Sequence, residues 1–145
     1  MADEDDVARR MSEFNRRIIE EFRGNAGRVG PPFEGAPMVL LTTTGARTGA
    51  RRTVPLVCLE DDDGTLYVFA SKAGAPANPA WYHNLLAHPR VTVEHGTERF
   101  EAVATPLEGA QRDEAFARQV ALRPQFGEYQ KSTSRTIPVI ALRRA

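Results

Sequence analysis

The residues best suited to chemistry crowd into one acid-free stretch, LTTTGARTGARRTVPL, which runs from Leu41 to Leu56. It holds Thr42, Thr43, Thr44, Thr48 and Thr53, the glycines Gly45 and Gly49, and the arginines Arg47, Arg51 and Arg52. Threonine hydroxyls and guanidinium groups donate hydrogen bonds, and glycines let backbone N–H groups converge on a ligand. The arginine fork matches two oxygens of a phosphate or carboxylate. A loop of donors without an acid suits a bound anion. It equally suits a solvated hairpin whose arginines keep the tip soluble. No Gly-Lys-Ser/Thr closes the stretch, so it is neither a P-loop nor a dinucleotide GxGxxG.

A second stretch, SKAGAPANPAWYHNL from Ser71 to Leu85, repeats the theme. Lys72 stands near a glycine, without an acid, ahead of Trp81, Tyr82 and Asn84. The two aromatics read alone as core or surface residues. Beside an anion loop they are also what a planar, phosphorylated cofactor requires. The chain shows no GxSxG, no Cys-His arrangement and no telling carboxylate pair. Cys58 is the only cysteine, which excludes an internal disulfide and a Cys-rich metal site. His83 and His88 are five apart, not on one helical face, and His95 is the third histidine, so no metal site is expected.

These residues need elements to place them. Val7, Met11, Phe14, Ile18, Ile19 and Phe22 recur at helical spacing, with Asp3 to Asp6 at the positive end of the helix dipole. The polar face carries Arg9, Arg10, Arg16, Arg17 and Arg23. Such a helix packs on a domain or lies on an anionic membrane surface. Strand patterns follow in MVLLT, TVPLVCLE and TLYVFAS, with Pro55 marking an edge position or a bulge. A short helix lies between Pro79 and Pro89, and two strands meet near His95 and Gly96. A helix from Glu108 to about Leu122 and a strand in RTIPVIAL complete the order. The turns are too short for parallel crossovers. The pattern is therefore α+β: an antiparallel sheet curled toward a barrel, with an N-terminal helix and two further helices.

The 145 residues form one domain in this reading, with residues 1–24 as the amphipathic helix and residues 37–145 as the barrel core. Formal net charge is zero, with 19 basic and 19 acidic residues, so bulk attraction to nucleic acid is excluded and any positive patch is local. No secretory or membrane-spanning run is present, which reads as a cytoplasmic protein, peripheral to the membrane if the first helix binds there.

Four ordered stretches carry a resemblance: the two above, His88-Pro89 with Val91 and Val93, and Tyr129-Gln130 with Arg135 to Val139. Together they resemble the deazaflavin-dependent nitroreductase family from about Pro37 to the C-terminus. The resemblance implies a split β-barrel and coenzyme F420, a deazaflavin with a phosphate and an oligoglutamate tail. It implies hydride transfer to a small acceptor such as a quinone or nitroaromatic. Cofactor contacts would fall on Ala46, Arg47, Thr48, on Arg52, Thr53, Val54, Pro55, Leu56 and Val57, on Phe69, Ala70, Ser71, Lys72, on Ala80, Trp81, Tyr82, His83 and Asn84, and on Tyr129. Arg47, Arg52 and Lys72 would clamp phosphate and glutamates, while Pro55, Leu56, Val57 and Trp81 would meet the ring system. Tyr129 and Ser71 would bind the acceptor or assist its protonation.

The chain departs from that family at Phe126, where relatives often have tyrosine, at Val57, where they often have an aromatic, and at Ala73-Gly74, where they often have Gly-Gly. A tryptophan found near Lys131-Ser132 in some members is missing. These departures fall on the acceptor side more than on the cofactor clamp. A split barrel also holds flavin mononucleotide (FMN) in other proteins, and a non-catalytic deazaflavin carrier is a further alternative. Barrels of this kind can pair as homodimers, although no interface signal stands out in the sequence.

Overall fold

The computed structural model describes residues 4–145, with side chains from residue 12 onward. A helix α1 (Glu4–Gly24) precedes the strands β1 (Met38–Thr44), β2 (Arg51–Glu60) and β3 (Leu66–Phe69). A 3-10 turn (Lys72–Gly74) leads to α2 (Ala80–Ala87), then β4 (Arg90–His95) and β5 (Glu98–Pro106). Helices α3 (Gly109–Leu122) and α4 (Gln125–Lys131) come before β6 (Val139–Arg144). The six strands close an antiparallel barrel in the order β1-β2-β3-β6-β5-β4.

The expected order of elements is present, with two differences. The helix α4 is additional, and the last strand starts at Val139, leaving Arg135 to Pro138 as extended chain ahead of it. The expected acidic start of α1, Asp3 to Asp6, and the apolar Val7 and Met11 lie outside the described side chains.

The barrel interior is packed by alternate residues of each strand: Val39 and Leu41, Cys58, Val68, Val91 and Val93, Ala102 and Ala104, Ile140 and Leu142. Strand β1 reads as a continuous apolar run because both of its faces are buried. Its other face, Met38 and Leu40, packs under Ile18 and Phe22 of α1. Ile18 and Phe22 are 0% and 2% exposed, so this part of the helix spends its apolar stripe on the barrel. Arg23 on α1 adds a two-pronged ion pair to Glu94 on β4, at 3.0 and 2.8 Å. No helix among the described residues is long and apolar enough to cross a membrane. A third cluster packs α3 and α4 on the outside, where Phe69 meets Phe116 and Phe126 edge to face.

The barrel is not evenly stitched. The β1–β2 ladder runs from Met38–Val57 to Thr44–Arg51, but β2 meets β3 only through Cys58, Leu59 and Glu60. On the opposite side β1 meets β4 through three pairs, Leu40 to Thr42. The barrel is thus a β1–β2 ribbon joined to a four-stranded sheet by two short seams. Along Arg51–Val57, β2 has no partner on its β3 side.

Candidate functional site

The open edge of β2 has a definite chemistry. The Cys58 N–H donates to the Pro37 carbonyl, and Gly45 N–H to the Ala50 carbonyl, which fixes the alternation of the ladder. Even-numbered residues of β2 therefore direct their backbone groups toward β1, and odd-numbered ones toward the gap. Thr53 and Val57 present N–H and C=O groups there. Pro55, paired with Leu40, has its missing N–H on the gap side, so the proline breaks no ladder bond. This is the edge position that its sequence context implies.

The hairpin tip beside that edge, Gly45 to Ala50, is held by its own backbone and by α2. Gly49 N–H donates to the Gly45 carbonyl at 2.9 Å and Ala50 N–H to the Thr48 hydroxyl at 3.2 Å. Asn84 accepts from Ala46 N–H at 3.0 Å and donates to the Thr43 hydroxyl at 3.2 Å. The structure thus joins two stretches that are separate in sequence, with Asn84 as their fastener. Arg47 and Arg52 are exposed, and neither pairs with a carboxylate among the described residues. Arg51 differs: it donates to the Thr92 hydroxyl at 2.7 Å, and Thr92 donates on to Glu101 at 2.9 Å. A surface groove of about 550 Å3 beside it is lined by Thr44, Arg51, His88, Arg90 and Glu101. A larger groove, about 680 Å3, lies away from these loops between the α1–β1 connection and His95.

The remaining expected residues divide by what they can offer. Val54, Leu56 and Tyr82 pack against the barrel interior, and Val57 buttresses both outer clusters. Thr53 shares a 2.7 Å hydroxyl bond with Thr42 across the ladder. Trp81 is 8% exposed and belongs to the barrel core, so it can give a ligand only an edge. Of the other expected residues on α2, Ala80 and His83 are exposed and Tyr82 is half-buried. Phe69 and Ala70 are buried and offer backbone alone.

Ser71 and Lys72 form a small cup. Ser71 is right-handed, with φ −76° and ψ −39°, and Lys72 is left-handed, with φ 45°. A right-then-left pair turns successive N–H groups inward, a nest for an anion or a carbonyl oxygen. The N–H groups of Ser71, Lys72 and Ala73 donate to nothing among the described residues. Ala73 also has a positive φ of 53°, a strain that glycine would not feel. Tyr129 on α4 is half-buried against Phe126, with ring centroids 5.3 Å apart, and its backbone lies directly over Gly74. The two residues expected to serve the acceptor, Ser71 and Tyr129, are therefore on neighbouring elements.

Sequence reasoning gave no role to Arg135, Gln130 or Arg112, although two of them lie in a quoted motif. Arg135 donates to the carbonyls of Ala75, Ala70 and Ser71 and to the Asn78 side chain, at 2.7 to 3.0 Å. The signal was present as an arginine beside a strand, but its partners lie some 60 residues away.

Together the exposed cations, the unpaired β2 edge and the free N–H groups form a donor set suited to a flat, anionic molecule. No group of three or more His, Cys, Asp or Glu residues that could hold a metal is found among the described residues.

A family model described as F420H(2)-dependent quinone reductase matches residues 14–144. An F420H(2)-dependent quinone reductase of Mycobacterium tuberculosis is 42% identical over 127 residues, spanning 85% of this chain and 85% of that protein. The solved structure of an F420-H2 dependent reductase, FDR-A, superposes with a TM-score of 0.67 at 41% identity, covering 73% of this chain and 93% of that one. A structure described as a domain-swapped dimer superposes at 0.69 with 34% identity, covering 97% and 99%. The match separates the two cofactors that a split barrel can hold, in favour of the deazaflavin. The chain belongs to the F420H(2)-dependent quinone reductase family, a family of enzymes whose cofactor is coenzyme F420.

Proposed function

We propose that this enzyme reduces a quinone to its hydroquinone at the expense of reduced coenzyme F420, using the open edge of β2 and the loops around it. The observation that carries the reading is the set of cations, Arg47, Arg52 and Lys72, that have no carboxylate partner among the described residues and flank unpaired backbone donors. When bound, the reduced deazaflavin supplies two electrons as a hydride.

The chain's own residues bind, orient and move a proton. Arg47, Arg52 and Lys72 hold phosphate and carboxylate oxygens through charge-assisted bonds. Thr53 and Val57 offer N–H groups to the ring, and the Ser71–Lys72 nest offers them to a ring carbonyl. Reduction of a quinone needs one hydride and one proton, and the proton reaches the acceptor oxygen at the Tyr129 or Ser71 hydroxyl. Neither hydroxyl donates to another group among the described residues; Tyr129 is half-buried and Ser71 is buried. Nitroaromatics are a second acceptor class with the same need for hydride and proton.

Titration of the purified protein with coenzyme F420, followed by fluorescence, tests the first step. Saturable quenching is expected, and then oxidation of the reduced cofactor by a panel of quinones and nitroaromatics. A protein that emerges from a deazaflavin-free host yellow with FMN, and that leaves F420 fluorescence unchanged, would overturn the reading. Binding without acceptor-dependent oxidation would return the chain to the role of carrier.

A further inference from the structure

The loop from Ala70 to Asn78 carries Lys72 and the nest, and one side chain fills its back. The Arg135 Nε donates to the Ala75 carbonyl at 3.0 Å. Nη1 donates to the Ala70 carbonyl at 3.0 Å and to Asn78 Oδ1 at 2.7 Å, and Nη2 to the Ser71 carbonyl at 2.8 Å. All of these acceptors are neutral. Arg135 has no carboxylate partner among the described residues, and burial holds its guanidinium below the ordinary arginine value. Its four hydrogen bonds offset the cost of half-burying a cation that has no counter-ion, and leave open what task it serves.

Peptide geometry supplies that task. In a planar trans peptide the C=O and the following N–H point in opposite directions. The carbonyls of Ala70 and Ser71 point at Arg135, so the N–H groups of Ser71 and Lys72 point away from it. Those are two donors of the nest. Each peptide is further polarised by the charge on its carbonyl side, which strengthens the N–H as a donor.

Arg135 is itself braced. Its carbonyl accepts from Gln130 Nε2 at 2.7 Å, and Gln130 Oε1 accepts from Ile137 N–H and from Arg112, both at 3.0 Å. Arg112 also donates twice to the Ile137 carbonyl and lies 4.3 Å over the Phe116 ring. Helices α3 and α4 thus fix the backbone from Arg135 to Ile137, and the Arg135 guanidinium fixes the loop.

We propose that Arg135 is a positioning residue for the cofactor: it aims the Ser71 and Lys72 N–H groups, and Lys72 itself, at the anionic deazaflavin without touching it. The proposal rests on the function proposed above for the same site, but half of its test does not.

Hydrogen exchange on the cofactor-free protein reads the loop directly. In Arg135→Gln, the amides of Gly74 and Ala75, which donate to the Ser71 and Lys72 carbonyls, should exchange at least tenfold faster, while those of β4 and β5 stay as protected as in the wild type. The Kd for F420 should rise at least tenfold. The kcat at saturating reduced cofactor, with menadione as acceptor, should stay within threefold. Arg135→Lys, which keeps the charge but not the fork, should recover part of the affinity. If Arg135→Gln does not fold, Asn78→Ala removes one of its partners and should give faster loop exchange with a roughly threefold weaker Kd. Loop exchange and Kd both within twofold of wild type would overturn the proposal, as would faster exchange with an unchanged Kd. If the wild type fails to bind F420, the functional reading falls and cofactor aiming falls with it. The exchange arm then decides only whether Arg135 holds the loop.

Discussion

Arg52 carries its charge at the rim of the barrel with no carboxylate against it among the described residues, so its removal measures what it holds. Arg52→Ala should weaken F420 binding by about 1–3 kcal/mol, the range for a charge-assisted contact, with little change in thermal stability. An unchanged Kd would return this arginine to the solvated-hairpin reading. Tyr129→Phe should lower kcat roughly tenfold or more while leaving the F420 Kd intact, if the hydroxyl hands a proton to the acceptor. Equal turnover would leave that step to Ser71 or to solvent. At this scale the sequence was most legible where type alone carries meaning. Acid-free runs of Arg, Lys and Thr marked a candidate anion site, with a solvated hairpin as the alternative. It was least legible where one side chain serves two distant segments. Trp81 read alone as either a core or a surface aromatic, because nothing local shows that α2 tucks it into the barrel. Arg135 looked unremarkable because its acceptors are main-chain carbonyls, which every sequence contains.

Contacts between elements make two further predictions. Gly74 has a φ of 81°, and an added Cβ would stand 2.8 Å from the Tyr129 carbonyl and 2.9 Å from Ser132 Cβ. Gly74→Ala should cost about 2–4 kcal/mol from left-handed strain and overpacking, read as a lower urea midpoint. A loss below about 1 kcal/mol would show that α4 moves aside. The second concerns α1 and the barrel. The bond from Arg23, and its charge, hold the Glu94 carboxyl below its usual range despite partial burial. A depressed carboxylate stabilises the fold above its unfolded value, about 4.3, and the gain is lost as pH falls through the lower folded value. Glu94→Gln should therefore cost about 1 kcal/mol at pH 7, kept small because Arg23 is half exposed, and the gap should close below about pH 4. A gap that persists in acid would assign the loss to packing.

Strand and helix patterns were readable because burial on one face or two imposes a period. Helix α4 escaped because it is seven residues long, follows Pro124 and contains Gly127, which leaves no periodic stripe to detect.

At the level of the whole molecule, the antiparallel turns and the alternation of inward residues made the barrel foreseeable. The two short seams were not foreseeable, because register between strands far apart in sequence leaves no local trace. Yet those seams leave open the β2 edge at which the cofactor is proposed to bind. They also create a hazard, since a strand with bare N–H and C=O groups invites another strand. Pro55 interrupts the row of donors between Thr53 and Val57 on the gap side. Pro55→Thr would complete that row without disturbing the ladder to β1. The variant should fold normally yet associate with itself, seen as concentration-dependent light scattering that F420 suppresses. A variant as monodisperse as the wild type would leave the proline without this duty. The proline would then be a guard against stickiness: a surface kept receptive to a small guest must also be kept unattractive to its own kind.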